Sequence, residues 1–325
     1  MRSACGMCTR MSAPPPGLIA LIGPTATGKT ALAVRLALRL GAAELVNADS
    51  RQVLRGLRVG TGAPAPEELS GVACHLLGIV DPGEPFSMAD WAGAARERLA
   101  EMGERGVRPI LVGGTGLYVR ALLDGFDLSG PAPDPSRRRA LATAASTPEG
   151  LATLGEELRR RDPAGAERTD LRNPRRVVRA LETIERHGSL AGRPAPLPSL
   201  PALRIGLDAP RPLHDRWIAD RARLMPERGL VEETRVALER GTVRDALAAA
   251  GIGYREALAV LDGAMTLAEA TGEIARRTRR YAKAQRTWFR AEEGVFWLRR
   301  EADGDLDAIA DRVLELAGRT HAPCS

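Results

Sequence analysis

The sequence predicts an α/β fold: a parallel sheet core of the P-loop NTPase type that carries a small all-helical insertion domain. Between Leu18 and about Leu123, short apolar stretches of strand length alternate with helical patterns, as is typical of a parallel α/β sheet. The pattern G-x-x-x-x-G-K-[ST] follows the first stretch directly, at residues 23–30. Further along, two proline-rich stretches bracket a charged helical segment, which indicates an inserted domain.

The first predicted strand, Leu18–Ile22, leads into the loop with the strongest chemical signal. Glycines let backbone N–H groups turn inward around phosphate oxygens, and the start of the following helix adds a favourable dipole. Lys29 supplies a positive charge, and the Thr30 hydroxyl can hold Mg²⁺. The chain has two lysines against 45 arginines, so a lysine at this position indicates a need for a compact charge. The loop indicates phosphate binding but not which phosphates are bound.

The remaining elements follow in order along the chain. A helix is predicted over Met88–Met102, because Ser87 can cap its start and Gly103 with Gly106 can close its end. Helical patterns also cover the insertion from about Ser136 to His187 and a last helix near Leu306–Leu316. The five further predicted strands are Glu44–Asn47, Ala73–Val80, Pro109–Val112, Leu203–Leu207 and Val295–Leu298.

These boundaries divide the chain into three predicted parts. Residues 1–16 are expected to form a disordered leader. Residues 17–128 and 203–318 are expected to build the catalytic core. Residues 129–202 are expected to form the helical insertion, with proline-rich hinges at 129–135 and 192–201.

Composition argues against several classes of protein. The 325 residues predict about two domains, and the net charge of +6 favours a polyanionic partner. The four cysteines lack the spacing of a disulfide framework, and the single close pair, Cys5 and Cys8, is expected to be incidental rather than metal-binding. A cytoplasmic location is therefore expected. No apolar run approaches the length of a membrane span, so no membrane partner is expected.

Asp49 is the acidic residue best placed for chemistry. It follows the strand Glu44–Asn47 at the carboxyl edge of the predicted sheet, where open α/β folds bind ligands. It could be a Mg²⁺ ligand, a general base or a capping residue for the turn at Ser50–Leu54, and its position leaves these alternatives open. The turn Gly113–Gly116 follows another strand at the same edge and offers backbone N–H groups and the Thr115 hydroxyl.

Basic residues cluster in two places. On a helix from about Glu273 to Arg290, four cations fall within about sixty degrees of one another, while Ile274, Tyr281 and Trp288 lie on the opposite face and are expected to pack inward. Such a single-sign face favours a polyanion groove. The four cations are Arg279, Lys283, Arg286 and Arg290, and a second cluster of Arg172, Arg175, Arg176 and Arg179 lies in the insertion.

A third element, Gly251–Glu256, is a glycine-rich turn with a tyrosine and an arginine. Two alternatives fit Tyr254 equally well. The ring could stack on a base, or it could lie in the core at the start of a helix.

Seven blocks of sequence, taken in order, resemble one family. They span about Leu18 to Leu298 and read GPTATGKT, NADSRQVLRGLRVGTGAP, HLLGIVDPGEPFSMADW, LVGGTGLYVRALLDG, NPRRVVRALE, GIGYREAL and RRYAKAQRTWFR. They resemble the bacterial-type tRNA dimethylallyltransferases. The resemblance implies transfer of a dimethylallyl group from dimethylallyl diphosphate to N6 of adenosine-37, beside the anticodon, in tRNAs that read codons beginning with U. It also implies a Mg²⁺ cofactor.

The resemblance also implies roles for single residues. Asp49 matches the general base, and Thr115 matches a channel residue near the reacting adenine. The diphosphate is expected to bind Gly23, Pro24, Thr25, Ala26, Thr27, Gly28, Lys29, Thr30 and Arg221, with Mg²⁺ at Thr30. Contacts to the anticodon stem-loop of tRNA are expected from Asp49, Ser50, Arg51, Gln52, Thr115, Arg175, Arg176, Val177, Val178, Arg179, Ile252, Gly253, Tyr254, Arg255, Glu256, Lys283, Gln285, Arg286, Thr287, Trp288 and Arg290.

The chain departs from the family pattern at a few positions. The family often has Tyr at Leu54, Ala-Lys at Gly62-Ala63, Asp at Gly78 and a second basic residue at Ala284. These departures bear on tRNA affinity more than on the chemistry.

Other functions remain compatible with the residues. They are a small-molecule P-loop kinase that binds ATP, an adenylate isopentenyltransferase and a non-catalytic RNA-binding protein. The arginine-rich insertion and the basic helix disfavour the adenylate enzyme. One basic groove per chain suffices for one tRNA, so a monomer is expected.

Overall fold

Six strands form one sheet at the centre of the first of two units. The computed structural model describes residues 17–125, 134–191 and 199–319. One compact unit contains the described residues up to Asp124 and from Ser199 onward, and the other contains the described residues between them. The strands are β1 Ile19–Ile22, β2 Ala43–Asn47, β3 Cys74–His75, β4 Arg108–Val112, β5 Leu203–Asp208 and β6 Val295–Arg299.

The sheet is parallel throughout. Its strand order is β3-β2-β4-β1-β5-β6, and each neighbouring pair runs in the same direction. The predicted α/β class is therefore confirmed. The helices, in chain order, are α1 Lys29–Leu40, α2 Pro66–Leu69, α3 Met88–Glu104, α4 Gly116–Arg120, α5 Pro135–Ala144, α6 Pro148–Arg161, α7 Pro163–Glu167, α8 Pro174–His187, α9 Arg211–Glu227, α10 Leu230–Glu239, α11 Arg244–Ala250, α12 Tyr254–Leu261, α13 Leu267–Arg290 and α14 Leu306–Arg319.

The register brings the strand ends to one edge. Asn47, the last residue of β2, pairs with Val112, the last residue of β4, and Val112 also pairs with Leu21 of β1. Ile22 of β1 pairs with Gly206 of β5. The loops that follow β1, β2 and β4 therefore meet at this edge, which is where parallel sheets bind ligands. A core of buried apolar residues from α1, α14 and the central strands supports the edge from one face of the sheet.

One predicted strand is wrong. Ala73–Val80 was expected to be a continuous strand, but only Cys74–His75 pairs with β2, and Val80 forms an isolated bridge to Leu54. Leu76 has φ +60° and Gly78 has φ +61°, so the backbone leaves the extended conformation at both residues. The other five predicted strands lie within one residue of their observed bounds.

The predicted start of α3 is confirmed. Ser87 Oγ accepts a hydrogen bond from Asp90 N at 3.2 Å, and Asp90 Oδ2 accepts one from Ser87 N at 2.7 Å. This reciprocal pair satisfies two N–H groups that the first turn of a helix leaves without partners. The helix ends at Glu104, just before Gly106 adopts φ +66°.

The second unit contains α5 to α8. Each of these helices begins with the same signal, a capping Asp, Thr or Asn followed by proline. The side-chain oxygen accepts backbone N–H groups of the first turn, and proline has no N–H that needs a partner there. Val177 and Leu181 of α8 lie in the core of this unit with Leu141 and Leu158. The helical character expected for Ser136–His187 agrees with these elements.

Other features predicted from sequence lie outside the described residues. They include the leader at residues 1–16 with Cys5 and Cys8, most of both hinges and the expected boundary at residues 128 and 129. Over residues 17–125, 134–191 and 199–319, no helix has both the length and the apolar character needed to cross a bilayer.

Candidate active site

The phosphate-loop residues form a tight turn between β1 and α1. Gly23 has φ +134°, and a Cβ atom there would stand 2.4 Å from the Leu207 carbonyl oxygen of β5, so only glycine fits. Lys29 Nζ and Thr27 Oγ1 both donate to the Pro24 carbonyl oxygen, at 2.6 and 2.9 Å. The loop is thus closed by its own side chains, with the lysine inside it.

Lys29 is buried beside two other charged groups. Only 8% of the residue is exposed, and this burial lowers the pKa of the ammonium to about 8. The carboxylate of Asp49 opposes that shift, and the guanidinium of Arg221 adds to it. These three side chains therefore form one electrostatic cluster at the loop.

Asp49 sits in a turn that several hydrogen bonds hold. Its Oδ1 accepts from Arg51 N at 2.9 Å, which is the turn-capping contact that the sequence left open. Asn47 grips the backbone of Asp49, donating through Nδ2 to its carbonyl oxygen at 3.2 Å and accepting from its N–H at 3.2 Å. The carboxylate also lines the space described below, so the turn-capping contact and a chemical role are compatible.

Thr115 supports this turn from the neighbouring loop. Its Oγ1 accepts from Ser50 N at 2.9 Å, and its N–H donates to the Ala48 carbonyl oxygen at 3.1 Å. At Gly113, a Cβ atom would stand 2.2 Å from the same carbonyl oxygen. The loops after β2 and β4 therefore pack closely because residue 113 has no side chain. Thr115 lines neither of the two large cavities of this unit, and its visible contacts position the turn that carries Asp49.

Two cavities meet at Asp49. The larger, about 1060 Å³, is lined by the phosphate loop with Lys29 and Thr30, by Gln52 and by Arg300. The smaller, about 290 Å³, is lined by Arg51 and by apolar residues of α9, α11 and α13. The residues that line both are Thr25, Asp49, Arg221 and Met225. A group in either cavity can therefore reach the Asp49 carboxylate.

Arg221 reaches the phosphate loop and Arg216 does not. Arg221 Nη1 donates to Thr25 Oγ1 at 3.3 Å, from a position on the wall of both cavities. Arg216 instead pairs with Asp303 at 2.6 Å and lines neither cavity. Of these two arginines, only Arg221 therefore lies beside the phosphate loop.

Acidic residues of other elements lie against the row of cations that was expected to form a single-sign face on α13. Arg286 pairs with Asp208 at 2.8 Å and Arg290 pairs with the same carboxylate at 3.4 Å. Arg279 lies 3.9 Å from Asp215. Within the described part of the chain, Lys283 is the one member of the row with no ion pair. The acids come from β5 and α9, which is why the sequence of α13 alone did not reveal them.

The expected apolar face of α13 is only partly correct. Ile274 is buried, but Tyr281 and Trp288 are 37% and 40% exposed. Trp288 lies over Gly116, and the guanidinium of Arg120 lies 5.0 Å from its ring centroid. Both aromatic side chains are thus accessible beside the site.

Gln285 of α13 joins the loops that follow β1 and β4. Its Oε1 accepts from Thr25 N at 2.8 Å, and its Nε2 donates to the Gly114 carbonyl oxygen at 2.8 Å. Its side chain is buried and fully engaged in the protein, so it does not project outward as a tRNA contact would. The sequence pattern indicated the residue but not this role.

Replacing Gln285 with Ala is expected to lower the free energy of unfolding by about 1–3 kcal/mol, because two partly buried backbone groups lose their partners. Urea denaturation measures this change. Thr287→Ala is the matched control, since its hydroxyl bonds only to the Lys283 carbonyl oxygen on the exposed face of the same helix, at 3.1 Å. Equal effects of the two substitutions would contradict the assignment.

His214 contacts the carbonyl oxygen of Thr25, the residue whose N–H group Gln285 binds. Sequence reasoning missed this role for His214. Its Nε2 lies 2.8 Å from the Thr25 carbonyl oxygen, and its Nδ1 lies 2.8 Å from Arg286 Nη2. A guanidinium can only donate hydrogen bonds, so Nδ1 accepts one from Arg286. Nε2 therefore carries the hydrogen and donates it in a hydrogen bond to the Thr25 carbonyl oxygen. Burial lowers the pKa of His214, which favours this neutral form. No local pattern marks the residue.

Arg300 was also missed, although its position offered a signal. It follows β6 directly, at the ligand-binding edge of the sheet. Its Nη1 donates to the Thr27 carbonyl oxygen at 3.3 Å, and its guanidinium lies 4.0 Å from the ring centroid of Trp217. Arg300 therefore adds a cation to the wall of the larger cavity.

The core alternative is the one observed for Tyr254. The residue is fully buried, and its hydroxyl donates to Glu233 Oε1 at 2.7 Å. Glu256 is buried as well and pairs with Arg277. The Tyr254 ring is therefore not available for stacking on a base, while Ile252 and Arg255 line the smaller cavity.

In the second unit, the predicted tRNA-contact residues divide into two groups. Val177 and Val178 are buried in the core of the unit. Arg175, Arg176 and Arg179 of α8 are exposed, and the Asn173 cap accepts the backbone N–H groups of Arg175 and Arg176 at 3.1 and 3.4 Å. Arg172 lies 3.7 Å from Asp170.

Two family models match the chain. The model described as IPP transferase matches residues 52–292, and the model described as Isopentenyl transferase matches residues 16–77. A curated tRNA dimethylallyltransferase of Streptomyces coelicolor is 44% identical over 295 residues, covering 88% of this chain and 92% of that protein. One from Bifidobacterium longum (strain NCC 2705) is 41% identical over 291 residues, covering 86% of each chain.

Solved structures agree with the sequence relatives. The full-length tRNA isopentenylpyrophosphate transferase of Bacillus halodurans is 39% identical, with a TM-score of 0.68 over 94% of this chain and 97% of that chain. A eukaryotic dimethylallyltransferase acting on tRNA, 23% identical, shares the fold, with a TM-score of 0.76 over 94% of this chain and 80% of that chain. Because one family model spans most of the sequence and these relatives match it nearly end to end, the chain belongs to the IPP transferase family.

Proposed function

We propose that this chain transfers a dimethylallyl group from dimethylallyl diphosphate to N6 of adenosine-37, beside the anticodon of tRNAs that read codons beginning with U. The products are the N6-dimethylallyl adenosine in tRNA and diphosphate. The observation that carries the proposal is that Asp49 lines both cavities, one of which is also lined by the phosphate loop. Such an arrangement lets an acceptor and a diphosphate approach one carboxylate from two sides.

The leaving group is proposed to lie in the larger cavity. Lys29, Arg221 and the loop N–H groups would bind its oxygens and stabilise the charge that grows as the allylic C–O bond breaks. A buried lysine and an arginine converge at this cavity, which supports the proposal. Diphosphate would relieve the repulsion between these two cations.

The acceptor amine is proposed to meet Asp49 from the smaller cavity. An adenine amine is a weak nucleophile, because its lone pair is delocalised into the ring. As N6 forms its bond to the allylic carbon, the nitrogen proton passes to the Asp49 carboxylate and the bonding electrons of the C–O bond leave with diphosphate. The adenine must first leave the stack of the anticodon loop to enter a pocket.

Mg²⁺ is the cofactor we propose, bound at Thr30. The donor fits this ion, because Thr30 lines the larger cavity with its hydroxyl-bearing side chain and Mg²⁺ commonly combines one or two protein oxygens with substrate phosphates and water. Among the described residues no group of three His, Cys, Asp or Glu side chains could hold a metal unaided, which suits an ion that arrives with its substrate. Bound there, the ion would neutralise charge on the diphosphate.

The tRNA is proposed to bind through its anticodon stem-loop, one molecule to a monomeric enzyme. In the first unit, residues 49–52, Arg255, Lys283 and Trp288 are available beside the cavities or on the exposed face of α13. In the second unit, the exposed Arg175 and Arg176 would contact phosphates. The tRNA contacts expected from the buried members of the set stay predictions.

Mass spectrometry of tRNA nucleosides from cells that lack the gene tests the proposal. N6-prenylated adenosine and its derivatives are expected to disappear and to return when the gene is restored. Purified protein should transfer labelled dimethylallyl groups to an unmodified tRNA with adenines at positions 36 and 37. ATP turnover with a small acceptor, prenylation of free adenylate, or tRNA binding without transfer would favour the kinase, the adenylate enzyme or the RNA-binding protein, respectively.

A further inference from the structure

The two cavities beside Asp49 share a strip of wall. Four of the described residues line both cavities, and three of them are polar or charged: Thr25, Asp49 and Arg221. Met225 is the fourth, and it is the one apolar side chain in this set. The passage from the larger cavity to the smaller one therefore has its apolar surface at Met225.

Met225 lies about one helical turn after Arg221 on α9. Residues four apart project from the same face of a helix, and their Cβ atoms lie about 5–6 Å from each other. The guanidinium of Arg221 contacts Thr25 of the phosphate loop, so Met225 stands one turn away from that contact. This face of α9 presents first a cation and then an apolar group. A prenyl diphosphate presents its diphosphate and its carbon chain in the same order.

Other core residues support Met225 from behind. Only 5% of the residue is exposed, and it belongs to the buried cluster that also contains Ala222, Leu230 and Ile274. The side chain thus contacts the core on one side and the cavities on the other. Methionine suits such a position, because its unbranched, polarisable thioether fits irregular apolar shapes.

The proposed reaction needs an apolar contact at this place. The allylic carbon must lie between its diphosphate in the larger cavity and the adenine amine beside Asp49, and the rest of the five-carbon chain continues from that carbon. This chain carries no polar atom, so its binding depends on leaving water for an apolar surface. Among the four residues that line both cavities, Met225 is the one that offers this surface.

We infer that Met225 recognises the dimethylallyl group: its thioether covers the five-carbon chain while Arg221, one turn earlier on α9, binds the diphosphate. The inference rests on the proposed function, which places dimethylallyl diphosphate in the larger cavity. Met225 is then a specificity-determining residue, because it contacts the part of the donor that inorganic diphosphate lacks. Loss of the side chain weakens binding of the prenyl ester and spares binding of diphosphate alone.

Binding of dimethylallyl diphosphate and of inorganic diphosphate to Met225→Ala tests this inference. The ratio of the two dissociation constants cancels any damage that affects both ligands alike. Met225→Ala is expected to shift this ratio about 5- to 50-fold against the ester, the effect of losing an apolar contact of this size. Arg221→Ala should weaken binding of both ligands by similar factors.

The matched control is Met102→Ala. Met102 is a fully buried methionine of α3 that lines neither of the two cavities, so the same substitution there removes core packing alone. The ratio of dissociation constants should stay within about twofold of the parent's. Any general effect of losing a buried methionine appears in this variant.

Two further measurements do not depend on the binding of Met225→Ala. Met225→Gln keeps the length and unbranched form of the side chain but presents an amide, so it should shift the ratio against the ester even if Met225→Ala does not fold. The second uses 3-methylpent-2-enyl diphosphate, which has one carbon more than the dimethylallyl ester. The parent should transfer this group poorly, and Met225→Ala should reduce that discrimination about fivefold, because the missing thioether leaves room for the added carbon.

The outcomes distinguish the inference from the proposed function. A parent-like ratio in Met225→Ala or in Met225→Gln overturns the role of Met225 and leaves the function intact. An equal shift in Met102→Ala also overturns that role, because the effect would then come from core packing in general. Binding of the ester that depends on Met225, without transfer to tRNA, removes the proposed function and supports recognition of the prenyl group by Met225.

Discussion

Asp49→Asn is expected to slow dimethylallyl transfer to tRNA by about 100- to 10,000-fold, the range that general acid–base groups contribute. Asn keeps an oxygen that can accept from Arg51 N, which Asp49 Oδ1 now does at 2.9 Å, so the turn should survive. What the substitution removes is the carboxylate that we propose takes the proton from the adenine amine. Single-turnover transfer of a labelled dimethylallyl group at saturating substrates measures the loss.

The control for this variant is Asp81→Asn. Asp81 is an exposed carboxylate that pairs with Arg55 at 3.0 Å on the surface, so its loss should leave the transfer rate within about twofold. Diphosphate affinity of Asp49→Asn should not fall, because the variant removes a negative charge from the neighbourhood of the bound anion. A transfer rate within tenfold of the parent would show that the proton goes elsewhere.

Lys29→Met is expected to weaken diphosphate binding about 10- to 100-fold and to make the fold more stable. The loss of affinity follows from removing a charge-assisted contact to the leaving group. The gain in stability follows from burial, which holds the pKa of Lys29 at about 8 against 10.5 in the unfolded chain. At neutral pH this difference costs the folded state about 3 kcal/mol, and methionine of similar length removes the cost.

Calorimetric binding of diphosphate and urea unfolding measure the two effects of Lys29→Met. Lys283→Met provides the control, because Lys283 is the other lysine of the chain and lies exposed on α13. It should leave diphosphate binding unchanged and alter the unfolding free energy by no more than about 0.5 kcal/mol. Equal loss of diphosphate affinity in both variants would contradict a specific role for Lys29.

Raising the pH from 7 to 9 is expected to weaken diphosphate binding by the parent relative to Lys29→Met. Lys29 in the free protein loses its proton as the pH rises through about 8, so above that pH binding must first restore the charge. Comparison with the variant cancels the titration of diphosphate itself. The cost of this group to folding shrinks as the pH rises from 8 to 10.5, because only the unfolded chain then binds the proton. If the ratio of the diphosphate dissociation constants of the parent and Lys29→Met did not change with pH, Lys29 would have to stay charged.

Local signals were sufficient for much of the fold. The capping box at Ser87, the Asx-Pro and Thr-Pro starts of α5 to α8 and the glycines of the phosphate loop each act within a few residues, so the sequence reveals them directly. The prediction of a strand at Ala73–Val80 was wrong because it relied on the apolar pattern alone. Two residues within the segment adopt left-handed backbone conformations, and no feature of the local sequence indicates this break.

Pairing between distant residues could not be predicted. Arg221 contacts Thr25 across 196 positions, and Gln285 joins Thr25 to Gly114 across 260 and 171 positions. Arg286 forms hydrogen bonds with Asp208 and His214, whereas the helical wheel of α13 showed it only as one of a row of cations. A helical wheel reports which side chains share a face but not which partner another strand or helix brings to it.

The sequence by itself determined that a phosphate loop, an acidic turn and a glycine turn would meet at one edge of a parallel sheet, because strand direction and chain order dictate where loops emerge. Only the tertiary structure showed that His214 and Arg300 contact the phosphate loop, that Tyr254 lies in the core, and that Asp49 lines two cavities. Those outcomes depend on side-chain volume and charge at contacts between helices. Gly62 is an example of this difference. In the sequence it is only a departure from the family pattern, whereas in the fold Arg221 occupies the space that a side chain at this position would fill.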